Sequence, residues 1–148
     1  MVFDNGGQSG YGPPDNNAPN GIAVMRRPYS RVIEFNPINM DIVWEYASNL
    51  ANAANQRSGF DLYSTNVSST QRLPYGNTLI TEGTKGRVIE ATREREIVWE
   101  YTSPYLLDST APSVRNLVYR AYRVPYDWVP QLPKPNKSAV GPAPITGS

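Results

Sequence analysis

The chain has 148 residues, enough for one domain with a modest core, and its net charge of +1 includes no long run of Lys or Arg. A nucleic-acid surface is therefore not indicated, and no stretch approaches the ~20 apolar residues of a membrane span. Cysteine and histidine are both absent. Their absence excludes disulfides and thiolate chemistry, and removes the usual general base and the commonest metal ligand. We expect no metal and no cofactor.

The first unit, residues 1–46, is an incomplete set of strands. We predict strands at 2–4, 31–35 and 42–46, the last with apolar side chains alternating at period two. The Asn- and Pro-containing link at 36–39 predicts a hairpin turn. The Gly- and Pro-rich insert at 7–30 predicts an irregular surface loop, of a length that is often functional.

The second unit, residues 68–101, is predicted to hold four consecutive antiparallel strands. Their ranges are 69–73, 78–82, 87–91 and 96–101. Pro74 suits the fixed φ of a type I turn, and Gly76 can take a positive φ. Four short antiparallel strands per unit are typical of a β-propeller blade.

One further strand is predicted at 116–124, where it would begin a third blade. The remainder, 130–148, is proline-rich and is expected to be extended or disordered unless it docks on a partner surface. The fold prediction is thus all-β: a partial propeller over 1–129, with three, four and one strands. That is two blades' worth, cut out of phase.

The two units repeat one another. RVIE at 31–34 recurs at 87–90, and IVWEY at 42–46 recurs at 97–101. The one-residue difference between the two offsets falls in the hairpin link, because a slip inside a strand would turn every side chain to the other face. Two blades cannot close a ring, so we expect copies to associate, with 116–124 completing the first blade of a neighbour. The product would be a ring or a filament.

Several phrases occur in an order that resembles a known family. They are FDNGG at 3–7, YSRVIEFNP at 29–37, QRLPYGNTLITEG at 71–83 and VYRAYRVPYDWVP at 118–130, with IVWEY twice. Over 2–130 the chain is similar to the C-terminal part of bacterial arylsulfotransferase-like propeller proteins. The resemblance implies a six-bladed propeller in the periplasm or outside the cell. The first five residues lack the features of a signal peptide, so this location rests on the resemblance.

The resemblance also implies an activity that this chain's residues do not match. Catalytic members of the family transfer a sulfuryl group between phenols through a transiently sulfated histidine, with other histidines and an arginine around a central funnel. By a rough alignment Arg87 stands in a catalytic histidine's place, and residues 7–10 lack the arginine. A guanidinium stays protonated and cannot be the nucleophile, although it can bind a sulfate or sulfonate. We expect no catalytic residue in this chain.

Four residues are candidates for anion or substrate binding: Arg87, Arg120, Tyr63 and Tyr119. Arg87 either binds an anion or pairs with Glu90, as its counterpart Arg31 would pair with Glu34. Tyr119 and Arg120, with neighbouring Tyr122 and Arg123, line a funnel, contact a partner chain, or simply pack as part of a strand. Tyr63 precedes a blade's first strand, where relatives under the resemblance carry an aromatic phrase near the funnel.

Other residue patterns favour architecture over chemistry because they occur in both units. The aromatic pairs Trp44/Tyr46 and Trp99/Tyr101 are expected to pack between blades rather than stack a substrate. The glutamates are expected to form ion pairs rather than an acid–base pair; they are Glu34, Glu45, Glu90 and Glu100. The Asp/Asn groups at 4–5 and 15–17 match no recognised calcium loop and indicate turns. Sequons occur at 66–68 and 136–138.

Two functions remain open from the sequence. In the first, the chain is a non-catalytic structural or assembly module that completes blades with neighbouring chains. In the second, it is a subunit or fragment of an active aryl-sulfate sulfotransferase whose histidine lies on missing upstream blades or on another chain. The partners would be copies of itself or a second propeller chain, with aryl sulfates as ligands under the resemblance.

Overall fold

The computed structural model describes residues 1–11, 25–27, 29–47, 62–105 and 116–134. This part of the chain is all-β, as predicted, apart from two 3₁₀ turns at Gly83–Lys85 and Tyr126–Trp128. None of its helical turns is long or apolar enough to cross a bilayer. The strands are β1 (Val2–Asp4), β2 (Gly7–Tyr11), β3 (Met25–Arg27), β4 (Arg31–Phe35), β5 (Ile42–Ala47), β6 (Ser68–Arg72), β7 (Thr78–Glu82), β8 (Arg87–Ala91) and β9 (Ile97–Thr102).

The first sheet has the antiparallel order β1-β4-β5. β4 lies in the middle, so that Val32 stands opposite Phe3 on one side and Tyr46 on the other. The three strands predicted for the first unit are therefore confirmed.

The insert between β1 and β4 contains paired strands that the sequence did not suggest. β2 and β3 form a two-stranded antiparallel ribbon. The prediction of an irregular loop over 7–30 is wrong at these strands. Strand pairing satisfies backbone groups between segments well apart in sequence, which a local count of Gly and Pro cannot detect. Residues 12–24 and 28 lie outside the described part.

The second sheet is a four-stranded meander, β6-β7-β8-β9, with every neighbouring pair antiparallel. Its boundaries agree with the predicted ones to within a residue. The β6–β7 turn is closed by a backbone hydrogen bond of 2.8 Å from the Leu73 N–H to the Asn77 carbonyl, and Gly76 has the expected positive φ, 99°.

The repeat extends to the irregularities of the backbone. A bulge interrupts the ladder after Glu34 in the first sheet and after Glu90 in the second. Each following turn contains a non-glycine residue with positive φ, Met40 at 63° and Arg95 at 74°. The one-residue difference between the units therefore lies in these turns, as predicted.

Of the two hydrophobic clusters among the described residues, the smaller (Leu73, Leu79 and Val88) packs against Ala121, and the larger lies between the two sheets. The first sheet contributes Phe3, Val32 and Trp44, the second contributes Ile80, Ile89 and Ala91, and Leu62 joins them from the connection. We call the faces that meet here the inner faces and the opposite ones the outer faces. Period-two alternation then places Leu79, Val88, Glu90, Trp99 and Tyr101 on the outer face of the second sheet.

Residues 116–124, here called the crossing segment, belong to no strand. The predicted strand at 116–124 is therefore wrong for the chain by itself. The segment runs over the second sheet and contacts it largely through side chains. The Ala121 N–H donates to Thr81 Oγ1 (3.1 Å), and Gln71 both accepts from the Arg123 N–H (2.9 Å) and donates to its carbonyl (3.1 Å). No strand in the described part of the chain offers it a ladder. Of the proline-rich tail, residues 135–148 lie outside the described part.

Candidate functional site

A cluster of three side chains joins the two sheets at their inner faces. The Arg72 guanidinium, from β6, lies 4.7 Å from the centroid of the Trp44 ring and 2.6 Å from Glu34 Oε2. The Trp44 indole N–H donates to the Arg93 carbonyl at 2.9 Å. Trp44 is consequently only 7% exposed. We call Glu34, Trp44 and Arg72 the inner cluster.

The same arrangement recurs on the outer face of the second sheet. Arg123, from the crossing segment, lies 5.0 Å from the Trp99 ring centroid and pairs with Glu90 Oε2 at 2.5 Å. We call Glu90, Trp99 and Arg123 the outer cluster. Here the tryptophan remains 43% exposed. The arginine is in place, but none of the described strands covers Trp99 as the second sheet covers Trp44.

The sequence around the two arginines shows why they play the same part. Arg72 begins the phrase Arg-Leu-Pro-Tyr, and Arg123 begins Arg-Val-Pro-Tyr. Arg72 ends β6, the first strand of the second sheet. The crossing segment therefore supplies to the second sheet the same arginine that β6 supplies to the first: one that contacts a tryptophan and a glutamate of that sheet. The role of Arg72 was missed in the sequence, although this four-residue repeat was the signal for it.

Arg87 is buried between two carboxylates. Its Nε donates to Glu100 Oε1 at 2.7 Å, its Nη2 to Glu100 Oε2 at 3.2 Å and its Nη1 to Glu82 Oε2 at 3.4 Å. The predicted alternative pairing with Glu90 is wrong, because residues three apart on a strand point to opposite faces. Likewise Arg31 pairs with Asp4 (2.9 Å) and Glu45 (3.5 Å) rather than with Glu34.

These contacts shift the ionisation of both partners. Burial acts to lower the pKa of Arg87, but its hydrogen bonds and charge contacts with Glu100 and Glu82 outweigh this and raise it. The hydrogen bond from Arg87 holds the pKa of Glu100 below its usual value, against the opposing effect of burial. The guanidinium is thus already occupied by the protein's own carboxylates, and binding of an external anion there stays a prediction.

The structure divides the four candidate residues into two groups. Tyr63 approaches Arg87 through Glu82, whose Oε1 accepts from the Tyr63 backbone N–H at 2.6 Å. Tyr119 and Arg120 lie on the crossing segment instead. There the Arg120 guanidinium lies 5.9 Å from the Tyr119 ring and 5.4 Å from the Tyr122 ring, and all three side chains are exposed.

Tyr119, Arg120 and Tyr122 line a groove of about 450 Å³ between β1, β6 and the crossing segment. β1 is the edge strand of the first sheet, since it pairs only with β4 among the described strands. Ser68, Ser69 and Thr70 of β6 line the groove on one side, and Val2 and Phe3 of β1 line it on the other. The groove is thus amphipathic and lies where a further strand would add to the first sheet.

The remaining predicted residues are mostly structural. The glutamates predicted to form ion pairs all contact arginines: Glu34, Glu45, Glu90 and Glu100. Trp44 and Tyr46 pack between the sheets, as expected, whereas Trp99 and Tyr101 are exposed. In the described ranges no three Asp or Glu residues gather as a metal site would require. The Asp/Asn group at 15–17 and the sequon at 136–138 lie outside those ranges.

No family model, no curated protein and no solved structure matches this chain.

Proposed function

We propose that the chain is a non-catalytic structural module whose copies assemble by completing one another's propeller-type blades. One observation carries the proposal. Among the described strands, the first sheet has three where the second has four, while the crossing segment belongs to no sheet. The described part of the chain thus holds both an unpaired edge at β1 and a segment with the sequence of a first strand.

Register identifies the strand that the first sheet lacks. Asp4 of β1 stands opposite Arg31, and Glu82 of β7 stands opposite Arg87, so β1 corresponds to β7. β7 pairs with β6, and the missing partner of β1 is therefore the counterpart of β6. The crossing segment is that counterpart by sequence. It lies over the face of its own chain's second sheet without joining a strand ladder there. It can therefore still form a ladder with β1 of another copy.

The hydrogen bonding of the crossing segment supports an intermolecular strand. The N–H groups of Ala121 and Arg123 donate to the chain's own Thr81 and Gln71. By period two, the N–H groups of Arg120 and Tyr122 point to the opposite edge. A segment whose N–H groups are held on one side, and have no partner among the described residues on the other, is suited to adding a strand from a partner.

The absence of histidine from all 148 residues supports a non-catalytic role, and the resemblance to arylsulfotransferase-like propellers supports the blade architecture. With two blades' worth per chain, three copies would make a six-bladed ring, and a rotation that does not close would make a filament. The periplasmic or extracellular location rests on that resemblance alone.

Mass in solution tests this function, measured by light scattering on a size column with electron micrographs of excluded material. We expect trimers or filaments. Tyr122→Pro removes an N–H from the open edge while keeping an extended backbone, and should reduce assembly. Tyr122→Phe keeps that N–H and should assemble normally. A wild-type monomer at high concentration would overturn the proposal. Transfer of sulfate between phenols by the purified chain would instead support the alternative function, part of an active aryl-sulfate sulfotransferase.

A further inference from the structure

We infer that the contact between copies repeats the junction between the two sheets of a single chain. The outer face of one copy's second sheet would receive the outer face of the next copy's first sheet, together with its β4–β5 turn, residues 36–41. This rests on the proposed function and goes further, because it names the two surfaces that meet. The partner is a second copy of this chain.

The junction inside one chain is the template. There the β8–β9 turn, residues 92–96, reaches across to β5 of the first sheet. The Arg93 carbonyl accepts the Trp44 indole N–H, and Arg95 Nε donates to the Glu45 carbonyl at 2.9 Å. One sheet's turn thus closes over the next sheet's last strand and buries its tryptophan.

The outer face of the second sheet offers the same receiving surface. Trp99 and Glu100 of β9 hold the places of Trp44 and Glu45 in the repeat. The outer cluster already supplies the arginine, in Arg123. Within the described residues, no turn carbonyl accepts the Trp99 indole N–H, as the Arg93 carbonyl accepts that of Trp44.

The β4–β5 turn is the matching element. Met40 corresponds to Arg95, each with positive φ in the same turn, and Pro37 corresponds to Arg93. In the intermolecular junction the Pro37 carbonyl would therefore accept from Trp99. Met40 would lie over β9, as Arg95 lies over β5.

The side chains of this turn indicate a covered surface. Ile38 is 92% exposed and Met40 is 67% exposed, at positions where the second unit has Glu94 and Arg95. The second unit's turn, whose Arg93 and Arg95 already contact β5, is charged at these positions, whereas the first unit's turn exposes apolar side chains there. Exposed apolar groups at both ends of one molecule, on the first sheet's turn and on β9, mark interaction surfaces.

A second copy is the partner that fits both ends. The outer face of the first sheet carries Val2 and Ile33, which correspond by register to Ile80 and Ile89. Ile80 and Ile89 fill the inner core opposite Val32 and Trp44. One end of the chain therefore carries the kind of surface that covers a tryptophan, and the other end carries Trp99, which the described residues leave 43% exposed.

Cross-linking tests the register directly, since the chain has no cysteine of its own. Met40→Cys and Val98→Cys proteins would be mixed and treated with a short bismaleimide. We expect a cross-linked dimer from the mixture and little from either variant alone. In the repeat, Arg95 corresponds to Met40 and Val43 corresponds to Val98. The matched control carries Val43→Cys and Arg95→Cys in one chain. It should link within the chain whatever the assembly.

A second pair of variants measures the contribution of the turn. Met40→Glu should weaken association by roughly 30-fold or more, because a carboxylate would lie against the Glu100 carbonyl, at the place where Arg95 donates to the Glu45 carbonyl. Leu132→Glu makes the same kind of change at another exposed position and should leave association unchanged. Assemblies that form without the 40–98 link and tolerate Met40→Glu would overturn this inference and leave the proposed function standing. A monomeric wild type would overturn both.

Discussion

Arginine side chains connect the two sheets, connect the crossing segment to the second sheet, and link strands within a sheet. Arg72 and Arg123 each stack on a tryptophan and bind a glutamate, while Arg87 bridges two carboxylates within its sheet. The planar guanidinium suits both kinds of contact, because its face stacks on aromatic rings and its edge donates hydrogen bonds. Lysine at these positions would keep the charge but lose the combined stacking and bidentate geometry.

The two clusters predict different costs for the same substitution. Trp44→Ala should lower the free energy of unfolding by about 3–5 kcal/mol, since the ring is buried between the sheets. Trp99→Ala should cost about 1 kcal/mol in dilute protein, where the exposed ring loses mainly its contact with Arg123. Urea denaturation of both variants at low concentration measures the difference. Equal losses would contradict the placement of the core at the inner junction.

The ion pair of Arg87 and Glu100 predicts acid sensitivity. Because the folded pKa of Glu100 lies below its ordinary value of 4.5, the unfolded chain binds more protons in that range. Its contribution to stability is therefore present above about pH 4.5 and is lost as the pH falls through the folded pKa. Thermal melting between pH 3 and pH 7, at about one-unit intervals, should show this loss. It should be smaller in Glu100→Gln, with Glu94→Gln at an exposed turn as the control.

At the scale of single elements, two turn glycines allow the cost of a strained backbone to be compared with the cost of steric overlap. Gly76 has φ 99° and nothing within 4 Å of where a Cβ would stand, whereas at Gly86, with φ 63°, a Cβ would overlap the Asn116 carbonyl oxygen. Gly76→Ala should cost about 1 kcal/mol from the left-handed backbone alone. Gly86→Ala should cost about 3 kcal/mol or more, because the start of the crossing segment must also move. Comparing their melting temperatures tests this order.

Local patterns predicted the strands well, because period-two alternation and turn residues are read within a few positions. β4 to β9 lie close to their predicted ranges for this reason. The β2–β3 ribbon and the crossing segment depend on distant partners, and local patterns cannot supply those. The crossing segment has the alternation of a strand, yet it lacks a neighbour with which to form a ladder.

The candidate site was predicted only in part, again because contacts across the fold decide it. Arg87 and Glu90 are three positions apart, so strand parity alone excludes their pairing and could have been applied to the sequence. The pairing of Arg72 with Glu34 joins two sheets and could not. Nor could the sequence show that one tryptophan of the repeat is covered and the other open.

At the scale of the whole molecule, the two ends of the repeat carry different surfaces. One end carries the three-stranded sheet with its apolar turn, and the other carries the crossing segment and the exposed Trp99. If copies assemble as proposed, apparent stability will rise with protein concentration, because association draws the equilibrium toward the folded chain.

The unequal connections within the two sheets also impose an order in time. The strands of the second sheet follow one another through short turns, whereas β1 must find β4 across residues 5–30. Closing that longer loop carries a greater entropic cost, so the second sheet should form first and present its inner face as the surface on which the first sheet condenses. In native-state hydrogen exchange, amides of β7 and β8 should then be the last to exchange and those of β1 among the earliest. During synthesis the strands of the first sheet leave the ribosome before those of the second sheet. The first sheet would therefore stay unfolded until the second sheet has been made and has folded.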